Sequence, residues 1–176
     1  YFINSFEPNL IKCQDKNTSI IFRNYNKKNI LDEVLKIKKF CKKNDYNLYL
    51  ANNIELATEL DLNGAYIPSF NQDFSHLSYS FKKKFSLIGS AHNLKEINIK
   101  KKQNVKKIFL SSIFKLNKNY LGIYRFKLLS KIVGVDVVAL GGINYNNINK
   151  VKLLNVSGFA GISYFNKKGP FKKKGP

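Results

Sequence analysis

Tryptophan and methionine are absent from these 176 residues, and arginine occurs only at Arg23 and Arg125. Cysteine is confined to Cys13 and Cys41. Their spacing offers neither a CxxC pair for a metal nor a disulfide framework, and a reducing cytoplasm is the compartment it fits. Acidic side chains number 11 against 31 lysines and arginines, a formal charge of +20. With so few carboxylates, paired-carboxylate catalysis and a protein-built cage for a hard divalent ion are both disfavoured. No stretch approaches the ~18 consecutive apolar residues of a membrane-crossing helix, so no membrane partner is expected. The chain opens at Tyr1 directly into an apolar run. That reads as a trimmed amino terminus and leaves a lost targeting segment open.

The charge invites a nucleic-acid reading, but its distribution argues against one. Lysine is spread along the whole chain beside abundant Asn, Ile, Phe and Tyr, a bias of codon usage more than of a binding face. Arginine, the preferred reader of phosphate and guanine edges, is nearly missing. A positive field still attracts small anionic substrates. Hydrophobic residues make up 44%, which favours a globular protein.

The densest pattern is Val135–Phe165. Val135–Leu140 and Phe159–Phe165 read as strands buried on both faces, with an amphipathic helix through Ile148, Val151, Leu153, Leu154 and Val156 between them. Gly141 and Gly142 follow the first strand, Asn144, Asn146 and Asn147 offer caps, and Gly161 lies in the second. Bare backbone N–H groups at such strand ends are where α/β proteins hold phosphate.

Upstream, strands are expected at Tyr1–Phe6, Asn17–Tyr25, Asn47–Ala51, Gly64–Ser69, Phe85–His92 and Val105–Phe114. Helical spacing marks Asn29–Lys43, Asn52–Leu62, Asn93–Lys101 with Asn93 as cap, and Tyr124–Val133 ended by Gly134. Phe74–Lys84 is a weak helix, and Lys115–Tyr120 a basic loop. Eight strands alternating with helices predict a compact (β/α)8 barrel of parallel strands over residues 1–165, with an open doubly wound sheet as the alternative. Residues 166–176, with two Gly-Pro breaks and a lysine run, read as a basic, disordered tail where a last helix would be missing or truncated.

In a barrel the strand carboxyl ends share one face, and that face holds the site. Here it would carry Arg23, Asn24, Tyr25, Asn52, Asn53, Ser69 and Asn71. Ser90, His92, Ser111, Ser112, Gly141, Gly142, Gly161 and Ser163 complete it. Arg23 is a lone cation in an apolar strand, and a functional role outweighs burial without a partner. His92 is either a general base or a strand-end histidine bonded to a backbone carbonyl. Ser112 either binds phosphate or is merely a tolerated small polar residue. Lys115 and Lys118 are equally well explained as solvated loop lysines, and His76 as a solvent residue.

The ordered set IIFRNY, LANNIELA, GAYIPS, LIGSAHN, IFLSSIF, VVALGGI and GFAGISYF resembles the thiamine phosphate synthase/TenI family over roughly residues 17–165. The resemblance implies a barrel enzyme of thiamine biosynthesis. One activity couples a pyrimidine pyrophosphate to a thiazole phosphate with loss of pyrophosphate; the other isomerises a thiazole phosphate without metal. It implies that Gly141, Gly142 and the turn Gly161–Ile162–Ser163 hold phosphate, that Arg23 contacts pyrophosphate, and that Ser90 is the strand-five serine. It also implies magnesium, but Asn52 and Asn71 stand where the synthases carry their magnesium-binding aspartates. Ile21 and Tyr25 replace a glutamine and a lysine beside the arginine, Lys118 stands in for a loop lysine, and Ser112 occupies the place of the isomerase histidine. The expectation is a synthase; the alternatives are an isomerase or non-catalytic thiazole-phosphate binder, and more remotely a nucleic-acid-binding domain.

Overall fold

Eight parallel strands in sequential order form one sheet in the computed structural model, which describes residues 1–26 and 29–166. They are β1 (Phe2–Ile3), β2 (Ile20–Phe22), β3 (Leu48–Ala51), β4 (Gly64–Ile67), β5 (Ser86–Ala91), β6 (Lys107–Leu110), β7 (Asp136–Leu140) and β8 (Gly158–Ala160). Seven parallel ladders join neighbours from β1 to β8. The ring is closed at its ends by one backbone bond, the Phe2 N–H donating to the Gly161 carbonyl at 3.3 Å. The fold is a (β/α)8 barrel.

The strands' apolar runs are continuous because both faces are covered. Phe2, Ile21, Ala51, Tyr66, Ile88, Phe109, Val138 and Ala160, one from each strand, pack together inside the barrel. Their flanking neighbours, such as Ile20 and Phe22, Ile108 and Leu110, or Val137 and Ala139, point outward against the helices. Side chains alternate along a strand, so the inward register is set for every strand by one residue. Counting forward from that ring puts Arg23, Ser90, Ser111 and Leu140 one step nearer the carboxyl end, and His92 two.

Outside lie α1 (Pro8–Lys12), α2 (Leu31–Lys43), α3 (Ile54–Glu59), α4 (Leu94–Lys102), α5 (Gly122–Val133), α6 (Ile148–Lys152) and α7 (Ser163–Asn166). In α2 the buried Val34, Ile37 and Cys41 recur on one face, with Asp32 and Glu33 in the first turn and Lys42 and Lys43 in the last, as the helix dipole favours. Asn93 caps α4, its side chain accepting from the Glu96 N–H at 2.9 Å. Gly134 ends α5 in the left-handed region, φ 71°. No helix among the described residues is long and apolar enough to cross a membrane.

Two expectations change, and one helix is new. Phe159–Phe165 is not one strand: pairing stops at Ala160, and Ser163–Asn166 turn into α7, whose Phe165 packs back into the core. An apolar run this short does not distinguish a strand from a strand followed by a helical turn. The segment after β1 forms α1, too brief to show a helical period, with Pro8 at its start. His76 is buried, not solvated, on a 3₁₀ turn Ser75–Ser78. The expected tail lies, from residue 167 on, outside the described residues.

Candidate functional site

A cavity of about 370 Å³ opens at the carboxyl ends of the strands. Its floor is aromatic. Phe2 and Tyr66 line it, and Phe109, which lines the cavity at the other end of the barrel, packs edge to face against both, the three centroids 5.2 to 6.0 Å apart. These are the inward residues of β1, β4 and β6, which the apolar strand patterns hid among their outward neighbours. Burial drives the Tyr66 phenol well above its ordinary value, against the smaller opposing pull of the Ser90 hydroxyl. At the mouth, Tyr25 and Phe70 lie edge to face at 5.6 Å, both exposed.

Arg23, Ser90, His92 and Ser112 line this cavity, as do Gly141, Gly142, Gly161, Ile162 and Ser163. Arg23 is half-buried, its guanidinium 5.2 Å from the centre of the Phe2 ring, and makes no ion pair among the described residues. Lys115, Asn117 and Asn119 bring the basic loop to the wall, whereas Lys118 is exposed and outside the lining. Of the two loop lysines, it is Lys115 that reaches the site.

His92 is held by a carboxylate instead of a backbone carbonyl. Its Nδ1 lies 2.8 Å from Glu96 Oε2, and its backbone N–H donates to the same oxygen at 2.8 Å. The other carboxylate oxygen accepts from Asn93 Nδ2 at 2.8 Å. With Nδ1 carrying the proton toward Glu96, Nε2 keeps its lone pair. Glu96 did not figure among the sequence candidates, although its signal was there: four residues after His92 and three after a capping Asn.

The glycines divide into two kinds. A Cβ on Gly141, φ 103°, would collide with Ser112 Oγ, and one on Gly142, φ 76°, would lie 2.6 Å from the Lys115 nitrogen. Both are needed where the turn after β7 meets the loop after β6, whose Phe114 N–H donates to the Gly141 carbonyl at 2.9 Å. Ser112 belongs to the same junction: its hydroxyl donates to the Lys115 carbonyl at 2.9 Å and accepts from the Lys115 N–H at 3.1 Å. Gly161 differs, for a Cβ there would meet nothing within 4 Å. The unfilled room is therefore beside the turn 161–163.

Asn52 and Asn71 do not line the cavity; they bond to one another. Asn71 Nδ2 donates to Asn52 Oδ1 at 2.8 Å. Behind Asn71 sits a buried polar group. Lys100 Nζ donates to the Asn71 carbonyl and to Gln103 Oε1, both at 2.7 Å, and His76 Nε2 lies 3.0 Å from the Gln103 carbonyl. Burial pushes the Lys100 amine down to about 8, against the pull of Glu96.

A larger cavity, about 620 Å³, opens at the opposite end of the barrel, and its Lys107 is paired with Asp136 at 3.1 Å. Barrel chemistry sits at the carboxyl ends, and Arg23, without an ion pair among the described residues, is there.

Comparison with known proteins agrees with this geometry. The chain is 26% identical over 132 residues to the thiamine-phosphate synthase of Methanococcus vannielii, covering 73% of this chain and 64% of that protein. It is 30% identical over 148 residues to the thiamine-phosphate synthase of Prochlorococcus marinus, covering 81% of this chain and 42% of that protein. The chain thus spans less than two thirds of the length of these relatives. A thiamine phosphate pyrophosphorylase from Pyrococcus furiosus superposes with a TM-score of 0.72 at 18% identity, covering 92% of this chain and 82% of that one. FabK from Thermotoga maritima superposes at 0.69 with 11% identity, covering 90% and 56%, so the fold alone is shared widely. Residues 10–165 match the thiamine monophosphate synthase family, and the chain belongs to that family.

Proposed function

We propose that the protein joins a hydroxymethylpyrimidine pyrophosphate to a thiazole phosphate and releases pyrophosphate, as the names of its relatives suggest. The observation that carries this reading is the pairing of Arg23 and Lys115 with an aromatic floor in one cavity. In the reaction the bond between the pyrimidine methylene and its diphosphate oxygen breaks, and the thiazole nitrogen's lone pair forms the new bond. Positive charge develops on the pyrimidine side and negative charge on the leaving group.

Electron-rich ring faces stabilise the first, and the Phe2 and Tyr66 rings exclude water around it. Arg23 and Lys115 draw the second. Ser90, buried beside Tyr66, offers a hydroxyl to the pyrimidine. The turn Gly161–Ile162–Ser163 provides room for the thiazole phosphate. The magnesium implied by the resemblance does not fit this donor set: Asn52 and Asn71 are neutral amides bonded to each other, whereas magnesium takes hard anionic oxygens.

Purified protein given both substrates should form thiamine phosphate and pyrophosphate in equal amounts. Arg23→Ala should lower kcat/KM by ~100-fold, the scale of removing one charge-stabilising donor. Thiazole phosphate binding without any coupled product would reject the transferase reading and leave the non-catalytic binder.

A further inference from the structure

We propose that Asn52 and Asn71 form a metal-free clasp, in which one amide hydrogen bond ties the loop after β3 to the loop after β4 and the site holds a diphosphate without a divalent cation. The inference deepens the reaction proposed above, on which it rests for the diphosphate.

The bond at 2.8 Å sets an N–H of one amide against the oxygen of the other. That consumes an oxygen lone pair and presents a nitrogen donor, which a hard cation does not take. Both backbones are fixed for the bond. Asn52 adopts φ 59°, a conformation asparagine tolerates, and its N–H donates to the Tyr66 carbonyl at 2.8 Å. The Asn71 carbonyl is held from behind by the Lys100 ammonium, buried under the loop, so a dication brought to the clasp would face a like charge already in place.

The next carboxylate along the loop, Asp73, is committed elsewhere. It accepts from the Ser75 N–H at 3.0 Å and from the Ser75 hydroxyl, holding the start of the 3₁₀ turn. Among the described residues no group of three His, Cys, Asp or Glu side chains could hold a metal ion. The charge a cation would bring to a diphosphate is available from Arg23 and Lys115, which line the cavity.

The test is a Mn2+ titration followed by electron paramagnetic resonance, with inorganic pyrophosphate binding measured separately by calorimetry in EDTA and in magnesium. Wild type should leave the free Mn2+ signal undiminished up to millimolar ion, and its pyrophosphate affinity should agree within threefold in the two buffers. An N52D/N71D double variant should take up one Mn2+ per chain. Stoichiometric Mn2+ uptake by wild type, or a gain of more than threefold in magnesium, would overturn the clasp. So would a folded double variant that binds no Mn2+, because the pair would then not occupy a cation's place. Failure of the coupling assay with a silent Mn2+ titration would reject the reaction and keep the clasp. Coupling that collapses in EDTA would do the reverse.

Discussion

Gly141 and Gly161 both border the cavity, yet replacing each by alanine should have opposite signatures. At Gly141 the new methyl meets Ser112 in a backbone region closed to L residues. A loss of ~2 kcal/mol or more in unfolding free energy, read from a lower urea midpoint, is expected. At Gly161 there is open space, so stability should hold within ~0.5 kcal/mol while affinity for thiazole phosphate falls. Lys100 gives a pH test. Its amine is pushed down to about 8 from 10.5, so the unfolded chain binds the proton more tightly. The penalty is complete below pH 8 and fades as pH rises toward 10.5, so stability should climb between pH 8 and ~10. Lys100→Met should flatten that climb in denaturant titrations run across the window.

Elements were legible where a long periodic pattern met a chemical stop. α4 is the clearest, from the Asn93 cap through Ile97 to a last turn of lysines. Asn93→Ala should cost ~1 kcal/mol in chemical denaturation, the usual value of a lost cap. Because Asn93 Nδ2 also steadies the Glu96 carboxylate, the same change should alter the His92 ring resonances in NMR, whereas Asn53→Ala in the α3 cap should not. The sequence was silent where tertiary packing decides. Phe159–Phe165 has strand composition throughout, but Phe165 turns back onto Tyr1 and Phe159, so the last residues curl into α7. His76 stood in a polar stretch that gave no sign of the Gln103 carbonyl waiting 27 residues ahead. Cavity-lining residues on strands were legible as strand carboxyl ends; those on loops, such as Lys115 over Lys118, depended on a path no period encodes.

At the scale of the whole molecule, one residue from each strand fills the barrel interior, and Phe2 and Tyr66 are at once core and cavity floor. Stability and binding are therefore linked in the same side chains. Thiazole phosphate at a hundred times its Kd should raise Tm by ~5 to 10 °C in a thermal shift experiment, if it binds the folded chain alone. Among the described residues, seven of the eight joints between strands are ladders, and at the eighth a single backbone bond runs from Phe2 to Gly161. Gly161 also walls the cavity, on the side where an added Cβ would meet nothing within 4 Å. A ligand lodged against that turn would act as a suture, bracing the joint where one backbone bond and the Tyr1 contacts to Phe165 and Asn166 stand in place of a ladder.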